Sequence, residues 1–248
     1  MELYAGNERA HRHVKLPGLE GDVIALPSEG RRGGDLYALF SCGDQRYARM
    51  VLADAVGHGF SASAIASHLH KLLHQYRDVQ NTADLLGMLN ETFLEVQPAG
   101  EPLRLTTAAV GNYDRQTGQF HYSYAAHPRM LLWRGHGREW RTLGTEREGG
   151  LPLGVTADGM YREYSIGLEP GDVVMAFSDA LTEVKAPDRT EFTAEGFLRL
   201  ANTIACGLAR PLSLHDFSEG LLGGVRRYHD SEKFEDDLTL LTLRRVQV

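Results

Sequence analysis

Residues 33–59 read GGDLYALFSCGDQRYARMVLADAVGHG. Two runs rich in apolar and aromatic side chains, LYALFS (36–41) and YARMVLA (47–53), flank CGDQR, where Gly43 and Asp44 supply turn chemistry. The stretch predicts a β-hairpin. Asp35 precedes the first strand, Asp54 follows the second, and the point midway between them falls inside Gly43-Asp44-Gln45. Residues equidistant from an antiparallel turn face each other with Cβ atoms about 4.5–5.5 Å apart. The two carboxylates are therefore expected side by side.

Outward from the hairpin the apolar period changes. From Ser61, the residues Ala62, Ile65, Leu69, Leu72, Leu73 and Tyr76 share one helical stripe, and Leu85, Leu86, Leu89 and Phe93 form another after Thr82. Strand patterns return at 106–113, 120–126 and 130–134, then at 161–166 and 173–177, with DRQTG, HP and Pro170-Gly171 among the breaks. Two more helical stripes, one with Phe197, Leu200, Ala201 and Ile204 and one with Leu214, Phe217, Leu221 and Val225, precede a last strand at 238–244. Strands bunched by short turns predict an α+β fold of mostly antiparallel sheets with helices on their faces, in place of alternating βαβ units. Neither a repeat nor a linker divides the chain, so residues 21–248 are expected as a single domain and 1–20 as an N-terminal extension.

The chain has 248 residues, and its 27 glycines are about 11% of it against about 7% on average, which favours many turns. Net charge is −7 and no Lys/Arg run exceeds two residues, so the basic footprint of a nucleic-acid or membrane-surface binder is missing. No apolar run has membrane-spanning length, and the N-terminus lacks the pattern of an export signal. A cytoplasmic protein is expected. Cys42 and Cys206 are too few for a disulfide framework and are expected as small core residues.

Other carboxylates reach the hairpin's open end. Asp179 follows the strand pattern at 173–177, and Asp236-Asp237 open the last one. With neighbouring antiparallel strands, these acids and Asp35 and Asp54 can meet at one sheet edge. Carboxylates that close repel and raise one another's pKa, so protons or cations must join them. All-oxygen ligation suits magnesium or manganese rather than zinc. Two such ions about 3.5–4 Å apart can acidify a water and clamp a phosphoryl group, so the pattern reads as a metal-assisted phosphate hydrolase. Gly33, Gly34, Gly57 and Gly59 border these acids and let backbone crowd a small site. Strand-end aspartates also cap turns, and it is the joint placement that carries the reading.

Competing motifs fail on context. GHGFSA (57–62) fits a dinucleotide fingerprint, but residues 77–96 read as a helix where a parallel strand is needed. GFSAS (59–63) resembles a nucleophile elbow, yet Ser61 lies seven residues beyond Asp54 and more plausibly caps the following helix. HKLLH (70–74) has metal-ligand spacing, but Lys71 stands where a zinc protease needs its glutamate. His11 and His13 read as an exposed terminal segment.

GGDLY (33–37), LADAVGHGFSA (52–62), AAHP (125–128), GLPLGV (150–155), FSDALTE (177–183) and DDLTLL (236–241) occur in an order and spacing that resembles the SpoIIE/RsbU branch of the type 2C metal-dependent serine/threonine phosphatases. The resemblance covers about residues 20–245. It implies an αββα four-layer sandwich holding two Mn²⁺ or Mg²⁺ ions at one edge, with water activated by metal as nucleophile. By motif position Asp54 would bridge the ions, the Ala55 carbonyl, Asp179 and Asp236 would complete the ligands, and Asp35 would bind directly or through water. Asp237 would support the ligands from behind. His58 would protonate the leaving group or orient water, and His127 would contact substrate. Read from the residues alone, Arg31 and Arg32 just before GGD offer a fork for substrate phosphate, with a solvated loop pair as the ordinary alternative. Ala55, Ala126 and Ala180 depart from glycines common in the branch. The implied substrate is a phosphorylated STAS-domain anti-sigma-factor antagonist in a bacterial partner switch, with a separate sensor protein or a homodimer as regulator. A catalytically silent module binding such a partner is the alternative.

Overall fold

In the computed structural model, which describes residues 1–247 apart from 43, 58, 96–104, 137–138, 146 and 209–211, the hairpin forms as the sequence predicts. Three strands come first: β1 (Glu2–Glu8), β2 (Ala10–Leu16) and β3 (Leu19–Leu26). The hairpin strands β4 (Arg32–Cys42) and β5 (Tyr47–Ala55) lead into helices α1 (Gly59–Gln75) and α2 (Thr82–Glu95). Next are β6 (Thr106–Asp114), β7 (Gln119–Ala125), β8 (Leu131–Trp133), β9 (Trp140–Thr142), β10 (Tyr164–Gly167) and β11 (Val173–Phe177). A single 3₁₀ turn (Asp179–Leu181), α3 (Thr193–Gly207), α4 (Leu214–His229) and β12 (Leu238–Arg245) complete the order.

The strands make two six-stranded antiparallel sheets, ordered β1-β4-β5-β6-β7-β10 and β2-β3-β12-β11-β8-β9. Their inner faces meet through Val14, Val23, Tyr37, Leu39, Met50, Leu52, Leu241 and Leu243. Alternate residues of the same strands point outward: Leu36, Ala38, Val51 and Ala53 lie beneath α1 and α2, and Leu238 and Leu240 lie beneath α3 and α4. A strand covered on both faces must be apolar at nearly every position, which is why β5 and β12 read as continuous hydrophobic runs. Each Leu or Phe buried this way contributes about 1.5–3 kcal/mol. The result is the expected αββα sandwich.

Several expectations are corrected. Residues 1–20, set apart as an extension, instead supply β1 and β2, an edge strand for each sheet, with Ala10, Val14 and Leu16 buried between the layers. β3 and β9 had no counterpart in the sequence reading. Helix α1 starts at Gly59, so Ser61 lies within its first turn and does not precede it as a cap. Cys42 is buried, but Cys206 is exposed on α3 and is no core residue.

Candidate metal centre

The register of β4 against β5 places Asp35 directly opposite Asp54. This pair lies at the end of the hairpin away from its turn. β11 and β12 of the other sheet pair antiparallel, with Phe177 opposite Leu240, so Asp179 just after β11 and Asp236-Asp237 just before β12 emerge at a common edge. Asp54 feels the charges of Asp179, Asp236 and Asp237, which brings the acids of both sheets into one electrostatic cluster.

Burial and repulsion together make this cluster hold protons. Burial first, then the neighbouring Asp54 carboxylate, pushes Asp35 well above the ordinary carboxylate range. Asp54 rises to about 7, through burial and then through Asp179, Asp236, Asp237 and Glu183. Asp179 rises to about 6, through burial, Glu183 and Asp236. Both oxygens of Asp35 are buried with no hydrogen-bond donor in bonding geometry, and the nearby hydroxyls of Ser178 and Thr239 offset its burial only in part. Buried polar atoms are almost always satisfied. A pair of bare carboxylate oxygens beside a second carboxylate is the environment a hard divalent cation satisfies.

Asp237 differs from its neighbour. Its Oδ1 accepts from the Ser28 backbone N–H at 2.7 Å and the Ser28 hydroxyl at 2.9 Å, and its Oδ2 accepts from the Gly34 N–H. Its oxygens are thus engaged within the protein, and it is buried, whereas Asp236 is exposed and accepts at Oδ1 from the Asp237 N–H at 2.7 Å. The glycines before Asp35 follow from this anchoring. A Cβ on Gly33 would stand 2.6–2.9 Å from the Asp237 carboxylate, and one on Gly34 would meet Ala62 at 2.9 Å and the Ala55 carbonyl at 3.0 Å. Gly57 and Gly59 have φ of 101° and 73°, which glycine adopts without steric cost and which turns the chain from β5 into α1.

The other predicted residues are dispersed. His127 is buried, its Nδ1 lies 2.7 Å from the Thr107 hydroxyl, and burial lowers its pKa to about 3, so it is uncharged at neutral pH. It lines a cleft of about 620 Å³ together with Asp179, Arg129, Glu183 and Glu195. Arg32 donates from Nε to Glu8 at 2.9 Å, and both Arg31 and Arg32 border a different cleft, walled by Gly59, Ser63 and Ser67 of α1. His58 lies outside the described residues. Three participants escaped the sequence reading: Ser28, Arg129 and Glu183. Glu183 carried a signal, since it stands four residues after Asp179, about one helical turn, and its N–H bonds the Asp179 carbonyl at 2.8 Å.

Comparisons with known proteins agree with this architecture. The family model described as Stage II sporulation protein E (SpoIIE) matches residues 44–246. Phosphoserine phosphatase RsbU of Bacillus subtilis is 24% identical over 255 residues, spanning 99% of this chain and 70% of RsbU. The structure of the RsbU and RsbW domains of Rv1364c from Mycobacterium tuberculosis superposes with a TM-score of 0.75 at 27% identity, over 98% of this chain and 64% of that one. RsbX in complex with magnesium superposes with a TM-score of 0.65 at 19% identity, over 95% of this chain and 99% of RsbX. The chain therefore spans about two thirds of RsbU and of the Rv1364c structure. Among the described residues, no helix is long and apolar enough to cross a membrane.

Proposed function

The chain belongs to the SpoIIE family of PP2C-type phosphatases, and from that premise we propose that it hydrolyses phosphoserine or phosphothreonine on a protein substrate using divalent metal ions. The observation that carries this reading is the opposed Asp35–Asp54 pair, in which buried Asp35 has neither oxygen in a hydrogen bond and half-buried Asp54 is surrounded by further carboxylates. The donor set is all oxygen, which fits Mg²⁺ or Mn²⁺. Asp54, Asp179, Asp236 and the Ala55 carbonyl would hold two ions, with Asp35 as a further ligand, direct or through water.

Bound there, the ions would supply a water acidic enough to attack phosphorus and positive charge to receive the phosphoryl oxygens. The chain's own residues set the geometry. Asp237, fixed by Ser28 and Gly34, ties the β12 end of one sheet to the β4 end of the other and so holds Asp236 and Asp35 in register. Arg129 and the uncharged His127 line the cleft beside Asp179, where a phosphorylated segment of substrate would lie. Likeness to RsbU, and to a structure pairing RsbU and RsbW domains, favours a substrate of the partner-switching kind, a STAS-domain anti-sigma-factor antagonist.

The test is phosphate release from a phosphoserine peptide with added Mn²⁺ or Mg²⁺. Turnover is expected to require the metal and to fall at least about 100-fold in Asp54→Asn. Turnover untouched by that substitution, or none in the wild type, rejects the reading.

A further inference from the structure

HKLLH (70–74) lies outside the carboxylate cluster, on α1. His70 and His74 are one turn apart on α1, so their rings share a helix face, with centroids 5.0 Å apart. The first residue of β1 meets them there. A single oxygen of Glu2, Oε2, lies 2.5 Å from His70 Nε2 and 2.7 Å from His74 Nε2. Two imidazole nitrogens and a carboxylate oxygen from two different elements thus converge on one point. Phe40 packs edge-on against His74 at 5.6 Å, which limits the ring's freedom.

We propose that Glu2, His70 and His74 form a second metal site, for zinc or a similar late first-row divalent ion, that staples edge strand β1 to helix α1. Two histidines and one carboxylate are a zinc donor set, whereas the aspartate cluster suits harder ions. Zinc bonds of about 2.0–2.1 Å place tetrahedral ligands about 3.3 Å apart. The two Glu2–histidine distances must therefore open by about 0.6–0.8 Å, the three donor atoms already lie within 4.8 Å of one another, and side-chain exposures of 27%, 34% and 45% leave room for the adjustment. Solvent would fill the fourth position. Lys71 stands where a hydrolytic His-Glu-x-x-His helix has its base, so the site is structural. It is also remote from the aspartates: His70 and His74 lie 11 and 15 residues beyond Gly59, about 16–23 Å along α1. An ion there would tie together two elements that lead to the aspartates, since β1 pairs with β4 and α1 follows β5.

The test uses the untagged full chain, stripped by chelator, equilibrated with Zn²⁺ in excess Mg²⁺, and freed of unbound metal by gel filtration. Wild type is expected to retain one zinc equivalent more than His70→Ala/His74→Ala and more than Glu2→Gln. The Glu2 variant guards against a helix change in the double variant, and circular dichroism confirms that both fold. Co²⁺ should give a d–d absorption band in wild type that both variants lose, while Mg²⁺-dependent phosphate release persists. His215→Ala removes a ligand of a separate cluster, His11, Asp22 and His215, and should leave the extra equivalent in place. Equal zinc in wild type and both site variants overturns the proposal, as does loss of that equivalent in His215→Ala alone.

Discussion

Ala126 has φ of 53°, a left-handed conformation that costs an L-residue with a Cβ about 1–2 kcal/mol. It is exposed and borders the cleft that contains Asp179. Ala126→Gly is expected to raise stability by about 0.5–1 kcal/mol, the relief of strain being partly offset by the freer unfolded chain. Urea denaturation with an unchanged m-value checks it, and a loss of stability would show that the methyl packs usefully. Asp54 shows the opposite economy, in which function opposes stability. Its carboxylate is half-buried among like charges, so Asp54→Asn should raise the melting temperature of the metal-free protein while abolishing turnover. The pairing of Asp35 with Asp54 was legible because a hairpin is symmetric about its turn. Glu183 was missed because its one signal, the four-residue spacing from Asp179, points to proximity only if residues 179–183 turn helically, and the 3₁₀ turn at Asp179–Leu181 is too short to show an apolar period.

At the scale of elements, the site depends on β4 and β12 approaching closely across the two sheets. The close approach is permitted by Gly33, whose missing side chain leaves room for the Asp237 carboxylate. Gly33→Ala should displace that carboxylate from Ser28 and Gly34, lower stability by about 1–3 kcal/mol, and weaken metal binding. Thermal unfolding and metal titration measure the two effects, and an unchanged metal affinity would show that Asp237 does not position its neighbours. Long apolar strands and amphipathic helices were readable from period alone. β1 and β2 were not, because edge strands tolerate charge on their open faces. AHRHVKL buries only Ala10, Val14 and Leu16 and looks like a solvated tail until β3 is placed beside it. β9 is three residues long, too short to show any period.

For the molecule as a whole, the carboxylate cluster links stability to pH and metal. The pKa values of Asp35, Asp54 and Asp179 are raised in the fold, so the folded state binds protons more tightly than the unfolded chain. The stability this contributes is fully present below the unfolded value of 3.8 and is lost as pH rises through about 6 to 7. The metal-free protein should therefore melt at a higher temperature near pH 5 than near pH 8, each 1 kcal/mol shifting it by about 2–4 °C in a domain of this size. Saturating Mn²⁺ or Mg²⁺ should remove that dependence, because cations replace the protons. Scanning calorimetry at several pH values with and without metal tests this, and a metal-free protein that gains stability from pH 5 to pH 8 would contradict it.

The account rests on carboxylates from two sheets enclosing cations. Anomalous scattering from crystals soaked in Mn²⁺ measures this directly. The predicted result is manganese density bounded by Asp35, Asp54, Asp179 and Asp236, absent from the same crystals of Asp54→Asn. Density found only elsewhere on the molecule, with these four carboxylates left unoccupied, would contradict it.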